Sequence, residues 1–298
     1  MEPRIRQIIN DAMDTFIERG EAELIHELVE PIPLTVITEK YGLSPDQTER
    51  IRRDALEYLE NTDGSESSRE IVGRMISYWE DLVRERRVRP VDDLLSHIVH
   101  AKVEGFTPTD RELAWCMFGL TFGGHDSTIL ALGSALAHLA EHPALRDQLN
   151  ANRSLLPNAV EELLRLNAPL HNFRRDVVTD TVLGGKALRA GDRVLLSWGA
   201  ANRDPAEFPE PDTAVLDRRN ARNHMAFGAG RHTCAGQFIA RAEIRIALET
   251  VLDRIPDFEA TEPPHRTGLT GGGHHVGVEK LRVSFTPGPR SDSTPSAN

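Results

Sequence analysis

The chain has 298 residues, of which 39% are hydrophobic and 27% charged, and its formal net charge is -11. That apolar content suffices for one large core or two modest ones, and the acidic balance argues against nucleic acid as the main partner. Only two cysteines occur, Cys116 and Cys234, so we expect no disulfide framework and a reducing, cytoplasmic setting. No apolar stretch is long enough to span a bilayer, and the N-terminus lacks the apolar core of a secretory signal, so no membrane association is expected.

The first half of the chain is predicted to be helical. Apolar residues recur at helical spacing through Ile5–Phe16. A second helix through Leu24 and Leu28 is predicted to end at Pro31 and Pro33, because proline lacks the amide hydrogen that a helix interior needs.

The longest predicted helix begins after Thr109. Thr109 and Glu112 have the spacing of a capping box, and no proline interrupts the run that follows until Pro143. Its apolar residues lie on several faces, which is typical of a helix buried on all sides. We therefore expect a long central helix.

The second half alternates short strands with helices. Alternating apolar runs predict strands at Thr181–Leu183 and Asp192–Trp198, and a last strand at Lys280–Phe285. A helix is predicted over Ala235–Ile255. The fold class is therefore mostly α, of the α+β type, with one domain over residues 1–286 and a disordered tail over 287–298, which is rich in Pro and Ser.

A single cysteine lies in a glycine-punctuated loop just before that helix. The loop runs Phe-Gly-Ala-Gly-Arg-His-Thr-Cys-Ala-Gly from Phe227 to Gly236. A helix N-terminus favours negative charge, and glycines let the backbone approach a bulky ligand, so Cys234 is a candidate thiolate ligand. A buried free cysteine in a turn is the alternative. A zinc site from His224, His232 and Cys234 is a further one, although the spacing matches no common zinc pattern.

This loop resembles, position by position, the haem-ligand loop of the cytochrome P-450 family: Phe, two residues, Gly, three residues, Cys, one residue, Gly. The resemblance implies a haem b cofactor, with Cys234 as the axial ligand of its iron and Phe227, Gly228 and Gly236 beside it. It also implies a cytochrome P-450 fold, rich in helices with small antiparallel sheets.

Two adjacent glycines inside the long helix carry a second resemblance. Gly123 and Gly124 cost about 1 kcal/mol each relative to alanine, so either close helix packing or a local opening of the helix over a cofactor should compensate. The segment is similar to the family's oxygen-activation motif, which places Gly124 against the haem and gives Asp126 and Ser127 the role of proton relay. Ser127 stands where the family usually has threonine.

An acid and an arginine three residues apart, Glu162 and Arg165, form a common surface pair when taken alone. Their position after the long helix is similar to the family's Glu-x-x-Arg motif. The resemblance implies a buried structural triad with Arg219, which holds the cysteine loop in place.

Three basic residues match the family's contacts to the haem propionates: Arg175, His224 and His232. Guanidinium and imidazole groups suit carboxylates through charge-assisted hydrogen bonds. Segments expected to line the substrate pocket are Leu120–Phe122, Leu170–Phe173 and His274–Val276.

The implied reaction is the insertion of one oxygen atom from O2 into a small apolar organic substrate. Electrons would come from NAD(P)H through a ferredoxin reductase and a ferredoxin, since the chain carries no visible flavin or iron–sulfur motif. Four arginines flank the cysteine loop in sequence and form either a solvated basic patch or a docking surface for an acidic electron carrier: Arg218, Arg222, Arg241 and Arg245.

The first helix resembles one that normally follows about the first quarter of the family's fold, so the fold is expected to be truncated at its N-terminus. No tryptophan is followed four residues later by an arginine, the family's further propionate contact. One alternative is therefore an inactive remnant or interaction module with weak or no haem binding. Another is a haem-thiolate enzyme that uses peroxide, against which the acid–hydroxyl pair argues.

Overall fold

The computed structural model describes residues 1–60, 65–102, 105–267 and 275–291. Helices dominate it, and in chain order they are α1 Glu2–Met13, α2 Pro31–Lys40, α3 Pro45–Glu60, α4 Glu66–Val88, α5 Leu94–His100, α6 Asp110–Glu141, α7 Pro143–Ala151, α8 Leu156–Leu166, α9 Trp198–Ala201 and α10 Gln237–Arg254. In these described ranges no helix has both the length and the apolar character that crossing a membrane requires.

The strands are short and pair antiparallel. They are β1 Glu21–Glu23, β2 Asn172–Asp176, β3 Thr181–Leu183, β4 Lys186–Leu188, β5 Arg193–Ser197, β6 Glu259–Ala260, β7 His265–Arg266, β8 Val278–Lys280 and β9 Arg282–Ser284. One sheet has three strands in the order β1-β9-β6, and the pairs β2-β5, β3-β4 and β7-β8 form the others. A helix-rich fold with small antiparallel sheets confirms the predicted fold class.

The prediction that a helix ends at Pro31 and Pro33 is only partly correct, because the helical turn before Pro31 ends there but a new helix begins at Pro31 and includes Pro33. Residues Ile25–Val29 form a π-helical turn, and Pro31 is the first residue of α2, which continues to Lys40. Both prolines lie in the first turn of α2, where backbone amides have no partner within the helix, so proline costs nothing there.

Helix α6 passes through the two larger hydrophobic cores. Its first turns pack with α2, α4 and α5 through Leu113, Ala114 and Met117, while the stretch from Ala131 to Ala140 packs against α1, α8 and α10. The capping box of Thr109 and Glu112 is present at its start. The predicted long, central helix is therefore confirmed, and the part of it between the two cores borders the site described below.

The predicted tail over 287–298 begins inside the described part of the chain. Residues 287–291 lie against the turn that follows α1, where Gly288 N–H donates to the Ile17 carbonyl and Ser291 N–H donates to Asp14 at 3.0 Å. Arg254 on α10 donates to the Pro289 carbonyl. These five residues are thus held by hydrogen bonds, and residues 292–298 lie outside the described ranges.

Candidate active site

A cleft of about 1560 Å³ opens beside the middle of α6. Residues from each of the three predicted pocket segments line it: Phe122 from the first, Leu170 and Phe173 from the second, and His275 from the third. His274 lies outside the described residues. The cleft exceeds the roughly 300–1,000 Å³ of a site for one drug-sized ligand, so it has room for a large organic ligand.

Aromatic rings form one wall of this cleft. Phe118 and Phe122, one turn apart on α6, have ring centroids 4.5 Å apart, and Tyr58 from α3 meets Phe122 edge-on at 5.2 Å. Trp115 extends the row outward, 5.7 Å from Phe118. The wall is therefore made of flat aromatic groups that contact one another in tilted and edge-to-face geometries.

The glycine pair of α6 has open space beside it. A Cβ placed on Gly123 or Gly124 would meet nothing within 4 Å, whereas one on Gly133 in the same helix would lie 2.7 Å from Ile25. Close helix packing therefore explains Gly133 and not the pair. The predicted local opening of the helix is wrong, because α6 continues through this segment and Ser127 Oγ donates to the Gly123 carbonyl at 2.6 Å.

Two titratable side chains follow the glycines and line the cleft. Burial raises the pKa of Asp126 to about 6 and lowers the pKa of His125 to about 4. The Nε2 atom of His125 lies 4.0 Å from Asp126 Oδ1, and its Nδ1 atom is buried with no hydrogen-bond partner among the described residues. The site thus combines a carboxyl group that can hold a proton near neutral pH with the hydroxyl of the next residue, Ser127.

The cysteine loop is closed by its own backbone. Cys234 N–H donates to the Phe227 carbonyl at 2.9 Å, and the loop turns at Gly228 and Gly230, whose φ angles are +65° and +68°. Only glycine adopts such angles readily. The Cys234 side chain is exposed, and a Cβ on Gly236 would lie 3.9 Å from its Sγ atom, so the thiol has free space beside it.

Trp198 joins the cysteine loop to the cleft. Its ring lies 5.0 Å from that of Phe173, which lines the cleft, and a Cβ on Gly228 would come within 3.5 Å of it. Arg175 lies two residues after Phe173 on β2 and therefore on the same face of the strand, opposite Val194 of β5. His232 is exposed in the turn that precedes Cys234.

These residues fit a flat macrocycle held by a thiolate. The donor set is one accessible thiol with glycines on both sides, and an uncovered glycine surface on α6 faces open space. Cys234 would hold the iron, and Gly124 and Phe227 would lie beside the ring. No group of three or more His, Cys, Asp and Glu side chains within the described ranges could hold a bare metal ion, which disfavours the zinc alternative.

The predicted triad has a different third member. The Arg165 guanidinium donates to both carboxylate oxygens of Glu162, at 2.8 and 2.9 Å, and Arg218, not Arg219, completes the group with its Nε 3.0 Å from Glu162. Arg218 is 7% exposed, while Arg219 is exposed, because the turn closed by Arg218 N–H and the Val215 carbonyl directs Arg218 inward. Burial alone would raise the pKa of Glu162, but the hydrogen bonds from Arg165, the Val215 amide and Arg218 hold it below its usual value.

The prediction that His224 contacts a propionate is also not supported. The ring is buried, Ala226 N–H donates to Nδ1 at 3.1 Å, and Nε2 lies 3.0 Å from Glu161 Oε2. Both ring nitrogens are therefore used inside the protein. Since Nδ1 accepts a hydrogen bond, the proton lies on Nε2, which donates to Glu161.

Glu161 is a residue that the sequence analysis missed. Its carboxylate also accepts from Arg241 on α10, at 2.8 Å from Nε and 3.1 Å from Nη2. Burial raises the pKa of Glu161, but the bonds from His224 and Arg241 outweigh that effect and hold it at about 2. The sequence signal that could have identified Glu161 is a pair of adjacent acidic residues flanked by apolar residues on a helix.

The four arginines around the cysteine loop do not form one solvated patch. Arg218 belongs to the triad, Arg241 is bound to Glu161, and Arg245 pairs with Glu2 and Glu249 at 2.7 and 2.6 Å. Arg222 is the most exposed of them, with 74% of its side chain accessible and Glu161 3.8 Å away. Most of this positive charge is thus neutralised within the protein.

Known proteins share this fold. The family model for cytochrome P450 matches residues 65–267. The steroid C26-monooxygenase of Mycolicibacterium smegmatis is 33% identical over 95% of this chain and 72% of its own length. Among solved structures, the cytochrome P-450 PksS of the Bacillus subtilis bacillaene polyketide synthase has a TM-score of 0.89 at 29% identity, over 96% of this chain and 74% of that one. CYP109E1 from Bacillus megaterium, in complex with testosterone, has a TM-score of 0.87 at 28% identity, over 96% and 78%.

The chain belongs to the cytochrome P-450 family, and it is a monooxygenase of that family. Membership brings a haem-iron cofactor, O2, an organic substrate and redox partners. The predicted resemblance and the predicted enzyme class are confirmed.

Proposed function

We propose that the chain binds haem b through Cys234 and inserts one oxygen atom from O2 into an apolar, multi-ring organic substrate. The observation that carries this proposal is the exposed thiol of Cys234. The hydrogen bond from Cys234 N–H to the Phe227 carbonyl closes its loop, and Trp198 connects that loop to a cleft lined by Asp126 and Ser127. The haem, when bound, supplies the oxidation chemistry, and a thiolate ligand favours O–O cleavage.

Asp126 and Ser127 deliver protons in this proposal. With a pKa of about 6, the Asp126 carboxyl group is protonated in an appreciable fraction of molecules near neutral pH. Ser127 Oγ donates its own hydrogen to Gly123, so its lone pairs are free to accept one from a neighbouring acid or water. Peroxide-driven chemistry needs this relay less, so the pair favours O2 with electrons from NAD(P)H, a ferredoxin reductase and a ferredoxin.

Arg175 and His232 would bind the propionates, since Arg175 shares a strand face with a cleft residue and His232 is exposed beside Cys234. A guanidinium can bind a carboxylate through two parallel hydrogen bonds. His224 has no such role here, because Glu161 occupies its Nε2 atom.

The aromatic wall of Tyr58, Phe118 and Phe122 supports a substrate with fused or bridged rings. Flat apolar surfaces pack well against rings, with contacts worth about 0.5–1.5 kcal/mol per aromatic pair beyond area burial. One relative is a steroid C26-monooxygenase and one structural neighbour holds testosterone, so a steroid is the first substrate to test.

The test begins with the ferrous carbon monoxide spectrum of the chain expressed with haem supplied. A Soret band at the long wavelength that names the family supports thiolate ligation, and a band typical of neutral ligands, or no bound haem, contradicts it and favours an inactive remnant. Testosterone added to the ferric protein should then shift the Soret band by displacing water. Turnover with NAD(P)H, reductase and ferredoxin, compared with peroxide, completes the test.

A further inference from the structure

Glu161 connects three segments that meet behind the cysteine loop. It lies on α8, its partner His224 precedes the loop, and its partner Arg241 lies on α10, which follows the loop. Glu161 is 2% exposed, and its two carboxylate oxygens accept three hydrogen bonds, one from His224 and two from Arg241. Removing a buried carboxylate with such partners strongly destabilises the fold, because its partners would be left unpaired.

The contacts continue from these partners to the first residue of the loop. The guanidinium of Arg241 lies 4.3 Å from the ring centroid of Phe227, within the range of a cation–π interaction. The His224 ring lies 5.8 Å from the same ring. Both partners of Glu161 thus pack on Phe227.

Phe227 in turn sets the backbone of the ligand residue. Its carbonyl accepts the Cys234 N–H at 2.9 Å, which fixes the Cys234 main chain relative to α8 and α10. The Glu162 triad does not do this, because Arg165 and Arg218 bind the segment from Asn202 to Thr213 through its carbonyl groups.

We propose that Glu161 is a positioning residue for Cys234, acting through His224, Arg241 and the Phe227 carbonyl to hold the sulfur where it can remain a thiolate ligand. This inference rests on the proposed function of Cys234. Outer partners of metal ligands typically contribute about 10- to 100-fold to metal affinity or activity. Loss of the Glu161 charge frees Arg241 and His224 and loosens Phe227. The Cys234 sulfur can then take up a proton, so that it would bind as a neutral thiol instead of a thiolate.

The test compares Glu161→Gln with Asp93→Asn in the haem-loaded protein. Asp93, the N-cap residue of α5, forms a buried ion pair with Arg86 of α4 at 2.7 Å, so its substitution is a matched control that breaks a buried pair away from the loop. We measure the thiolate share of the ferrous carbon monoxide complex, the rate of haem loss and hydrogen exchange of residues 227–236, all well below the unfolding temperature. Glu161→Gln should lower the thiolate share, speed haem loss about 10- to 100-fold and speed exchange in the loop.

Asp93→Asn should leave these three quantities at their wild-type values while lowering the unfolding temperature. If Glu161→Gln only lowers the unfolding temperature, with an unchanged thiolate share and loop exchange, the proposal is overturned and Glu161 is merely structural. Arg241→Gln serves if Glu161→Gln does not fold, because Arg241 is partly exposed, with 26% of its side chain accessible. A wild-type protein without a thiolate band overturns the proposed function as well, whereas a normal wild type with an unaffected variant overturns this inference alone.

Discussion

Glu161 and Glu162 are neighbours on α8, yet their carboxylates bind different parts of the chain. Glu162 accepts from Arg165 and Arg218 and so anchors the segment before the cysteine loop, while Glu161 accepts from His224 and Arg241 at the loop itself. Both are nearly inaccessible, at 0% and 2% exposure. One short helix thereby supplies two anionic anchors, and variants of either residue should differ in what they disturb.

Replacing Cys234 with serine should abolish the thiolate spectrum and leave the fold intact. The side chain is exposed, and a surface change of this kind usually alters stability by no more than about 0.5 kcal/mol. Cys116→Ser is the matched control, because Cys116 is the other cysteine and is also exposed. An unchanged carbon monoxide spectrum in Cys234→Ser would refute the ligand assignment.

Ser127→Ala should divert electrons from product to peroxide. The substitution removes the hydroxyl that donates to Gly123, while alanine remains a good helix former, so α6 should stay intact. The measurement is the amount of product and of peroxide per NAD(P)H consumed. Ser127→Thr keeps the hydroxyl and should restore the wild-type ratio, and a Ser127→Ala enzyme with normal coupling would rule out the relay.

Asp126 should impose a pH limit on turnover. A proton donor acts in its protonated form, which exists below its pKa, so product formation should fall as pH rises through about 6. Asp126→Asn should be slow and should lack this limb of the profile. The check is the rate against pH for both enzymes with the same redox partners, and an identical profile for both would be incompatible with the assignment.

The pair Arg218 and Arg219 offers a comparison between adjacent residues. Arg218→Ala leaves Glu162 with an incomplete buried network. It should lower the free energy of unfolding by about 3–5 kcal/mol and reduce the haem content of the protein. Arg219→Ala removes an exposed side chain and should change stability by no more than about 0.5 kcal/mol. Denaturant unfolding measures both, and equal losses would mean that the triad is not formed as described.

Glu243 should make stability fall as pH rises. It is buried on α10, and burial raises its pKa from 4.5 to about 8. Its contribution to folding is complete below pH 4.5 and is lost progressively as pH rises to about 8, by up to about 1.4 kcal/mol per pH unit. Glu243→Gln should remove this slope, and parallel stability profiles for the variant and the wild type would contradict the prediction.

Short-range sequence patterns, such as capping boxes and conspicuous residue spacings, predict most of the fold. The capping box of Thr109 and Glu112 gives the start of α6 because its hydrogen bonds join residues three apart. The spacing around Cys234 predicts a loop before a helix, and α10 begins at Gln237. Proline at 31 is misread, since the same residue that ends one helix can begin another, and only the backbone around it decides which.

The site is harder to predict where a partner comes from a distant element. Arg218 and Arg219 are chemically identical, and a turn has no periodicity to show which one points inward. The sequence analysis assigns His224 to a haem propionate, whereas in the structure it binds Glu161, which lies 63 residues earlier. Glu161 is overlooked because adjacent acids normally decorate a surface, and here every residue of α8 from Ala159 to Leu166 is buried.

The pairing of β1 with β9 has a consequence for how the chain folds during synthesis. Glu21 lies opposite Ser284, and β6 pairs with the other edge of β9. During synthesis, β1 cannot pair until β9, which lies far later in the sequence, has left the ribosome, and contacts between such distant residues slow folding. A chain cut before Arg282 would lose the central strand of this sheet and leave both β1 and β6 unpaired.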